Sequence, residues 1–297
     1  MKFKNLYVSA LPIVSFELFP PKTEEGLARL EERLPKLISL DPAFISVTYG
    51  ALGSTQDLTL ELTSKIKNVY GHEAVQHLTC VGSPQAEIEK MLGKIREHNI
   101  ENIVALRGDP PQGQAQFEVS ENGYAHADQL VTHISRFGGF GVAVAGYPEK
   151  HVEAENFETD LQHLKSKVTA GADVIITQLF YDNKHYFRFV QRCREIGIKQ
   201  PIVPGLLPIL NVDQIKRITE ICGSAIPQSL LQQLIDAERG KCSVAEVGIK
   251  HTTAQAIDLI NGGAPGIHFY VLNQHFHITE IMQRIAHVLK RIPSKSD

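Results

Sequence analysis

The sequence has no excess of one charge, no long apolar run and no paired cysteines, and each absence excludes a class of protein. Its 30 lysines and arginines nearly balance 33 aspartates and glutamates, so it shows no electrostatic footprint for nucleic acid or an acidic membrane. No apolar run reaches the ~18 residues of a membrane span, and residues 1–6 lack the apolar stretch of a signal peptide. The cysteines, at 80, 193, 222 and 242, fit neither a Cys-x-x-Cys metal site nor a disulfide framework. We therefore predict a cytoplasmic protein.

Several motifs that carry chemistry are also missing. The chain has no Gly-x-Gly-x-x-Gly or Gly-x-x-x-x-Gly-Lys phosphate loop and no His-Glu-x-x-His zinc motif. His275 and His277 flank one residue but have no carboxylate partner in the motif, so we predict no metal site. No predicted strand ends in a lysine, which argues against a Schiff-base aldolase.

Short β-branched runs alternate with longer helical patterns along the whole chain. Most strand starts are separated by close to the ~30 residues that one strand and its crossover helix occupy. Eight such units in a chain of 297 residues predict a single catalytic (β/α)8 barrel domain over residues 1–297, with an open doubly wound sheet as the alternative. The predicted strands are 13–19, 44–48, 74–78, 102–106, 141–145, 174–178, 202–206 and 266–270.

Apolar residues recur at helical spacing between these strands. The interval between the seventh and eighth strands is about twice the usual length, so we expect extra helices there. A polar stretch at 112–122 has no periodicity and is predicted to be a mobile loop. The predicted helices are 24–40, 84–98, 156–170, 183–196, 213–222, 227–237, 244–260 and 279–291.

Polar side chains follow nearly every predicted strand, where a barrel of this kind carries its active site. The stretch 103–111 shows the pattern, because its buried apolar run ends in Arg107, Gly108 and Asp109. Taken alone, the charged end of this stretch could be a structural ion pair that fixes a loop. Because polar residues recur after the other predicted strands, we predict a functional pocket. The strand ends carry Glu17, Thr48-Tyr49, His77-Thr79, Arg107-Asp109, Tyr147-Glu149-His151, Gln178 and Asn273-Gln274.

Glu17 lies within the first strand among large apolar neighbours. Desolvation disfavours a carboxylate, so we expect its pKa to be raised, which would let it donate a proton near neutral pH. The alternative is a structural glutamate that pairs with an arginine such as Arg107.

The sequence resembles the 5,10-methylenetetrahydrofolate reductase family almost from end to end. Eight blocks in the same order carry the resemblance: Phe16-Glu17-Leu18-Phe19-Pro20-Pro21, Ser46-Val47-Thr48-Tyr49-Gly50-Ala51, His77-Leu78-Thr79-Cys80, Ala105-Leu106-Arg107-Gly108-Asp109, Ala145-Gly146-Tyr147-Pro148-Glu149, Lys167-Val168-x-Ala170-Gly171-Ala172, Ile176-Thr177-Gln178-Leu179-Phe180 and Pro204-Gly205.

The resemblance implies a (β/α)8 flavoprotein with non-covalent FAD. It would reduce 5,10-methylenetetrahydrofolate to 5-methyltetrahydrofolate with NADH or NADPH in a ping-pong cycle that feeds methionine synthesis. Glu17 would be the catalytic acid. FAD would contact Thr48, Tyr49, Ala51, His77, Arg107, Gly108, Asp109, Tyr124, Ala125, Tyr147, His151, Ala154, Asp160, His163 and Lys167. The folate or nicotinamide substrate would contact Glu17, Thr48, Asp109, Gln178, Gln214 and Gln274.

Two residues depart from the family pattern. Gln274 stands where an arginine is common after Leu-Asn, and Ile218 where an aromatic residue often stacks on the substrate.

The other partners expected are further copies of the chain, in a homo-oligomer. Two alternatives remain: a non-redox lyase or hydrolase that uses Glu17 and Asp109 as an acid–base pair, and a non-catalytic folate- or flavin-binding module.

Overall fold

A computed structural model describes residues 1–9, 11–49, 56–108 and 119–290. Short runs of apolar and β-branched residues form parallel strands that are buried on both faces, as in other sheets with helical crossovers. The strands are β1 (Ile13–Leu18), β2 (Phe44–Val47), β3 (Ala74–Thr79), β4 (Asn102–Leu106), β5 (Gly141–Gly146), β6 (Val174–Thr177), β7 (Ile202–Val203), β8 (Gly205–Leu206) and β9 (Gly266–Tyr270).

The strands close into a barrel, which confirms the predicted fold. Their order is β7-β6-β5-β4-β3-β2-β1-β9-β8, so the two ends of the sheet are the two halves of the predicted seventh strand. Pro204 separates these halves because a proline has no N–H for the ladder. β7 pairs with β6 and β8 pairs with β9, and His268 N donates to Pro204 O at 2.9 Å. The prediction of one unbroken strand at 202–206 was therefore wrong.

The described residues form eleven α-helices. They are α1 (Phe3–Leu6), α2 (Glu24–Ile38), α3 (Gln56–Ser64), α4 (Gln85–Glu97), α5 (Ala127–Phe137), α6 (Phe157–Thr169), α7 (Asn183–Glu195), α8 (Val212–Cys222), α9 (Gln228–Asp236), α10 (Val244–Asn261) and α11 (Phe276–Leu289). The eight predicted helices are present, with ends that differ by a few residues. The extra helices α8 and α9 lie between β8 and β9, as predicted.

Helices α1, α3 and α5 were not predicted from the sequence. Helix α1 has only four residues, too few to show a period. Helix α3 continues into a π-helical turn over Lys65–Val69, which disturbs its 3.6-residue spacing. At the start of α5 stands His126, which is not a favoured N-cap residue, and Gln129 accepts hydrogen bonds from the backbone of Ala125 and His126 instead.

The barrel interior is closed at the N-terminal ends of the strands. Phe3 of α1 and Phe44 of β2 are fully buried there, with ring centroids 5.3 Å apart in a T-shaped contact. They pack against Val75, Val104 and other inward-facing residues of the strands. The polar site must therefore lie at the opposite mouth. No helix within the described residues is long and apolar enough to cross a membrane.

Candidate active site

Three adjoining cavities lie at the C-terminal ends of the strands. The central cavity, of about 340 Å³, lies over the barrel axis. The outer cavity, of about 330 Å³, extends from it towards α5 and α6, and the two share Arg107, Tyr147 and His151. The side cavity, of about 220 Å³, adjoins the central cavity at Glu17 and Gln178. Together they form one elongated groove across the mouth.

Most of the predicted site residues line this groove. The central cavity is lined by Glu17, Thr48, Tyr49, His77, Arg107, Gly108, Tyr147, His151 and Gln178. The outer cavity is lined by Arg107, Tyr147, His151, Ala154, Asp160, His163 and Lys167. The side cavity is lined by Glu17, Thr48, Gln178 and Ile218.

Other predicted site residues do not join the groove. Tyr124 lies instead in a separate surface groove between α4 and α5, where its hydroxyl contacts His133 Nδ1 at 2.6 Å. Gln214 is exposed in the first turn of α8. The cavities traced through the described residues are not lined by Ala125, Gln214 or Gln274. Ala51, Asp109 and most of the predicted loop 112–122 lie outside the described residues.

Glu17 stands at the junction of the central and side cavities, where two histidines contact one of its oxygens. The register of β1 against β9 sets Glu17 beside Tyr270 and Ser15 beside His268. His268 Nε2 lies 3.2 Å from Glu17 Oε2, and Ser15 Oγ lies 2.7 Å from His268 Nδ1. His77 Nε2 also lies 3.2 Å from Glu17 Oε2, an electrostatic contact without hydrogen-bond alignment.

This environment contradicts the prediction that the pKa of Glu17 is raised. Burial raises the pKa, as expected, but the charge of His77 and the hydrogen bond to His268 outweigh burial and lower it to about 2. The two imidazoles come from β3 and β9, far from Glu17 in sequence. Glu17 is therefore a carboxylate held by histidines, and a proton on His268 Nε2 would be one short transfer from it.

His268 and Tyr270 were not recognised as site residues from the sequence, although they stand in β9. His268 is fully buried, and Tyr270 lines both the central and the side cavity. Residues two apart in a strand point to the same face, so their alternation with Ile267 and Phe269 was the available signal. Tyr270 Oη donates to Thr177 O at 2.7 Å, across the gap in the seventh strand. Gly205 permits this approach, because a Cβ there would lie 2.2 Å from Thr177 O.

The outer cavity contains two cations in different settings. Arg107 pairs with Glu153 through both Nη atoms, at 2.5 and 2.7 Å, and these hydrogen bonds lower the pKa of Glu153. Lys167 Nζ donates to Ala145 O at 2.6 Å and lies 5.8 Å from the centroid of the Tyr147 ring. Burial of its ammonium group lowers the pKa of Lys167 to about 8. Asp128, Glu153 and Asp160 line the same cavity, so an anionic ligand would contact Lys167 and would compete with Glu153 for Arg107.

The backbone next to Arg107 requires a glycine. Gly108 has φ +89, and a Cβ at this position would lie 2.5 Å from Val81 Cγ1. Because only glycine adopts this conformation without strain, Gly108 lets the main chain border the central cavity closely.

The side cavity has mainly apolar walls and one amide. Gln178 lies directly after β6. Its backbone N–H donates to Gly146 O at 2.8 Å, and its side-chain Oε1 accepts from Leu179 N at 2.9 Å. The apolar walls are formed by Leu18, Phe19, Leu179, Leu207, Ile218 and Leu272. A ligand in this cavity would meet mainly apolar walls, with Glu17 and Gln178 among its polar contacts.

Comparisons with known proteins show the family to which the chain is similar. Residues 2–286 match the family model described as methylenetetrahydrofolate reductase. The chain is 38% identical over 280 residues to 5,10-methylenetetrahydrofolate reductase of Escherichia coli (strain K12), covering 93% of this chain and 90% of that protein. It is 44% identical over 283 residues to "Methylenetetrahydrofolate reductase (NADH) 1" of Arabidopsis thaliana, covering 92% of this chain. The chain spans about half the length of this plant relative, 48%.

Among solved structures, the fold is similar to that of a Clostridium thermocellum protein that binds two copies of 5-methyl-5,6,7,8-tetrahydrofolic acid. The TM-score is 0.65 at 14% identity, and the match covers 94% of this chain and 95% of that one, which supports the fold alone. The family model that matches residues 2–286 and the 90% coverage of the Escherichia coli enzyme show the family as well as the fold. The chain belongs to the methylenetetrahydrofolate reductase family.

Proposed function

We propose that this protein reduces 5,10-methylenetetrahydrofolate to 5-methyltetrahydrofolate, with a nicotinamide as reductant and non-covalent FAD as cofactor, and so supports methionine synthesis. The observation that carries the proposal is the position of Glu17 where the central and side cavities meet. There a carboxylate can reach a substrate in the side cavity while a cofactor fills the other two. The names of plant relatives such as that of Arabidopsis thaliana support NADH as the reductant.

The residues of the outer and central cavities fit FAD. Arg107 and Lys167 offer cations to a pyrophosphate, and the Gly108 main chain allows close approach. The central cavity, lined by Tyr49, Ile176 and other residues over the barrel axis, would hold the flat ring system. When bound, FAD would supply hydride transfer from the nicotinamide to the folate. The roles proposed for Ala51 and Asp109 rest on the family resemblance.

Glu17 would deliver the proton that opening the imidazolidine ring requires. The attraction that lowers its pKa exists only while an imidazole is protonated, and burial alone acts in the opposite direction. Transfer of a proton from His268 to Glu17 Oε2 therefore gives a neutral acid beside the side cavity. The acid would then protonate a ring nitrogen of the folate. Ser15 holds His268 from its other nitrogen, which keeps that ring oriented.

The side cavity would receive the two substrates in turn. Its apolar walls suit the flat ring of a pterin or a nicotinamide, and the Gln178 amide can donate and accept at a ring edge. Because both rings need access to the same cofactor face, one cavity implies a ping-pong order. Gln178 would thus contact both substrates, whereas the roles proposed for Gln214 and Gln274 rest on the resemblance.

We also propose a cytoplasmic homo-oligomer. No disulfide joins any of the four cysteines, all of which lie within the described residues, and this is consistent with a reducing compartment. Analytical ultracentrifugation of the purified protein would measure the oligomeric state, and a monomer at micromolar concentration would contradict this part of the proposal.

Anaerobic half-reactions test the function. Protein loaded with FAD should lose its yellow absorbance on addition of NADH, and more slowly with NADPH. Addition of 5,10-methylenetetrahydrofolate should restore the absorbance and yield 5-methyltetrahydrofolate. A protein that takes up no FAD, or whose reduced cofactor is not reoxidised by the folate, would contradict the proposal and favour a non-redox role for the same mouth.

A further inference from the structure

An unusual backbone turn follows β9, at the edge of the side cavity. Leu272 and Asn273 have φ values of +48 and +55, so two consecutive non-glycine residues adopt the left-handed conformation. Asparagine tolerates this conformation, but leucine does so only under strain that the surrounding structure must hold. The turn lies directly beyond Tyr270, and Leu272 lines the side cavity.

The Asn273 side chain holds this turn against the end of β1. Its Oδ1 accepts from Phe19 N at 3.1 Å and its Nδ2 donates to Phe19 O at 2.8 Å, so one amide satisfies both backbone groups of one residue. Asn273 is buried, and its backbone carbonyl oxygen accepts from Arg33 Nη1 of α2 at 3.1 Å. A side chain that makes a reciprocal pair of hydrogen bonds fixes the distance between two strand ends. We call this arrangement the Asn273 clamp.

The clamp joins two neighbouring wall residues of the side cavity. Phe19 lies two residues after Glu17, and Leu272 lies two residues after Tyr270, the β-ladder partner of Glu17. Both Phe19 and Leu272 line the side cavity, and neither lines the central or outer cavity. The clamp therefore acts on the side cavity and not on the cavities assigned to the cofactor.

We propose that Asn273 is a positioning residue for the substrate of the side cavity. By fixing the separation of Phe19 and Leu272, it holds in place one wall of the slot that receives a flat heteroaromatic ring, and it keeps that ring in reach of Glu17. Asn273 does not line the cavity itself and acts through its two neighbours. This inference rests on the proposed function, because the occupant of the slot is a substrate of that reaction.

The test compares Asn273→Gly with a matched variant at the other end of the barrel. Glycine accepts the left-handed backbone, so this change removes the clamp without adding strain. The control is Asn102→Ala, since the amide of Asn102 also joins backbone groups, accepting from Phe3 N at 2.9 Å and donating to Met1 O at 2.8 Å. Asn102 lies in a strand, where alanine fits the backbone. Both variants should melt several degrees below the unchanged protein, but only the Asn273 clamp borders the substrate.

Calorimetric titration of the FAD-loaded protein with 5-methyltetrahydrofolate gives the deciding measurement. Asn273→Gly should weaken binding about tenfold, the size of one or two lost hydrogen bonds, while the affinity for FAD changes less than about twofold. Asn102→Ala should leave both affinities unchanged. In steady state, Asn273→Gly should raise KM for the folate more than it lowers kcat. If Asn273→Gly does not fold, Asn273→Asp keeps the shape but sets an oxygen against Phe19 O, and the same loss of affinity is expected.

The outcomes separate the clamp from the proposed function. No binding of 5-methyltetrahydrofolate by the unchanged FAD-loaded protein would overturn the proposed function and the clamp's role with it. Binding by the unchanged protein, with equal affinity in Asn273→Gly and a fall in melting temperature like that of Asn102→Ala, would overturn the clamp's role alone.

Discussion

The two mouths of the barrel are built from the ends of the same strands but serve opposite purposes. At the N-terminal mouth, Phe3 and Phe44 fill the opening, and the Asn102 amide is bonded to the backbone of α1 and to Glu73. At the C-terminal mouth, strand ends present Glu17 and Gln178 to open cavities. In barrels of this kind the C-terminal mouth carries function, and the N-terminal mouth contributes stability.

The buried polar groups of the two mouths differ in whether they reach a cavity, and this difference separates groups that stabilise the fold from groups that can take part in chemistry. Asn102 is wholly occupied by the protein's own groups, so it contributes to folding. Glu17 is also contacted by protein groups, yet 16% of its side chain remains exposed, towards the cavities. A polar group that is held in place and still reaches a cavity is the one available for catalysis. Substitutions at the two mouths should therefore separate activity from stability.

The largest effect is expected for Glu17→Gln at the open mouth. Glutamine keeps the shape but cannot pass a proton, so folate reduction should fall by about 10²- to 10⁴-fold. Flavin reduction by NADH should be unaffected, because hydride transfer from the nicotinamide needs no proton from Glu17. Stopped-flow absorbance of the two half-reactions measures both.

Glu149→Gln is the matched control for this prediction. Glu149 also follows a strand at this mouth, but its Oε2 accepts from Ala225 N at 3.1 Å, and it lines none of the three cavities that the described residues form. Folate reduction by this variant should be nearly unchanged. Equal losses in both variants would mean that carboxylates at this mouth act through structure rather than through proton transfer.

At the closed mouth, the largest effect is expected for Phe3→Ala. Removal of this fully buried ring leaves a cavity against Phe44, which should lower the free energy of unfolding by about 3–5 kcal/mol. Phe276→Ala is the control, since that side chain is 72% exposed and should cost little. Urea denaturation gives the stabilities. FAD affinity should be unchanged in protein that remains folded, and a marked loss would show that α1 supports the distant site.

Much of this contrast could be predicted from the sequence. The buried β-branched runs placed every strand to within one residue at each end, apart from the break at Pro204, and the polar residues after them predicted the open mouth. Glu17, His77 and Gln178 do meet at one groove, as parallel strands with a common direction require. The plug formed by α1 was not predicted, because four residues carry no periodic signal.

The electrostatics of the site could not be predicted from local sequence. Apolar neighbours of Glu17 correctly indicated burial, but the pKa depends on His268, which is 251 residues away and reaches Glu17 only through the register of β1 and β9. For the same reason the Asn273 clamp was not visible, since its partner Phe19 belongs to the opposite end of the chain. Side-chain pairs of this kind depend on how the barrel closes.

A smaller effect is expected for Lys167→Met in the outer cavity. The pKa of Lys167 is lowered to about 8, so its ammonium is present below that pH and is lost above it. If it contacts the pyrophosphate, FAD affinity should weaken as pH rises through about 8, and the substitution should weaken it about tenfold at pH 7 and remove that pH dependence. Quenching of flavin fluorescence measures the affinity. Lys165→Met, an exposed position on the same helix, should keep both the affinity and its pH dependence.

The smallest effect is expected for Glu73→Gln at the closed mouth. Glu73 accepts hydrogen bonds from Lys67 Nζ at 2.8 Å and from Asn102 Nδ2 at 3.1 Å. Glutamine keeps the contact with Asn102, and Glu101, 3.7 Å from Lys67, remains as a second partner for the cation. The free energy of unfolding should therefore fall by only about 1 kcal/mol, and by less in 1 M salt, which screens a partly exposed pair.

Urea denaturation at low and high salt measures this loss, with Glu25→Gln as a control because that carboxylate is 80% exposed in its pair with Arg29. FAD affinity and both half-reactions should be unchanged in Glu73→Gln, since no cavity of the open mouth includes it among the described residues. If the free energy of FAD binding falls by more than the free energy of unfolding in Glu73→Gln, the charge at the closed mouth affects the site at the open mouth. Stability and catalysis would then have to be treated as properties of the whole barrel rather than of its two ends.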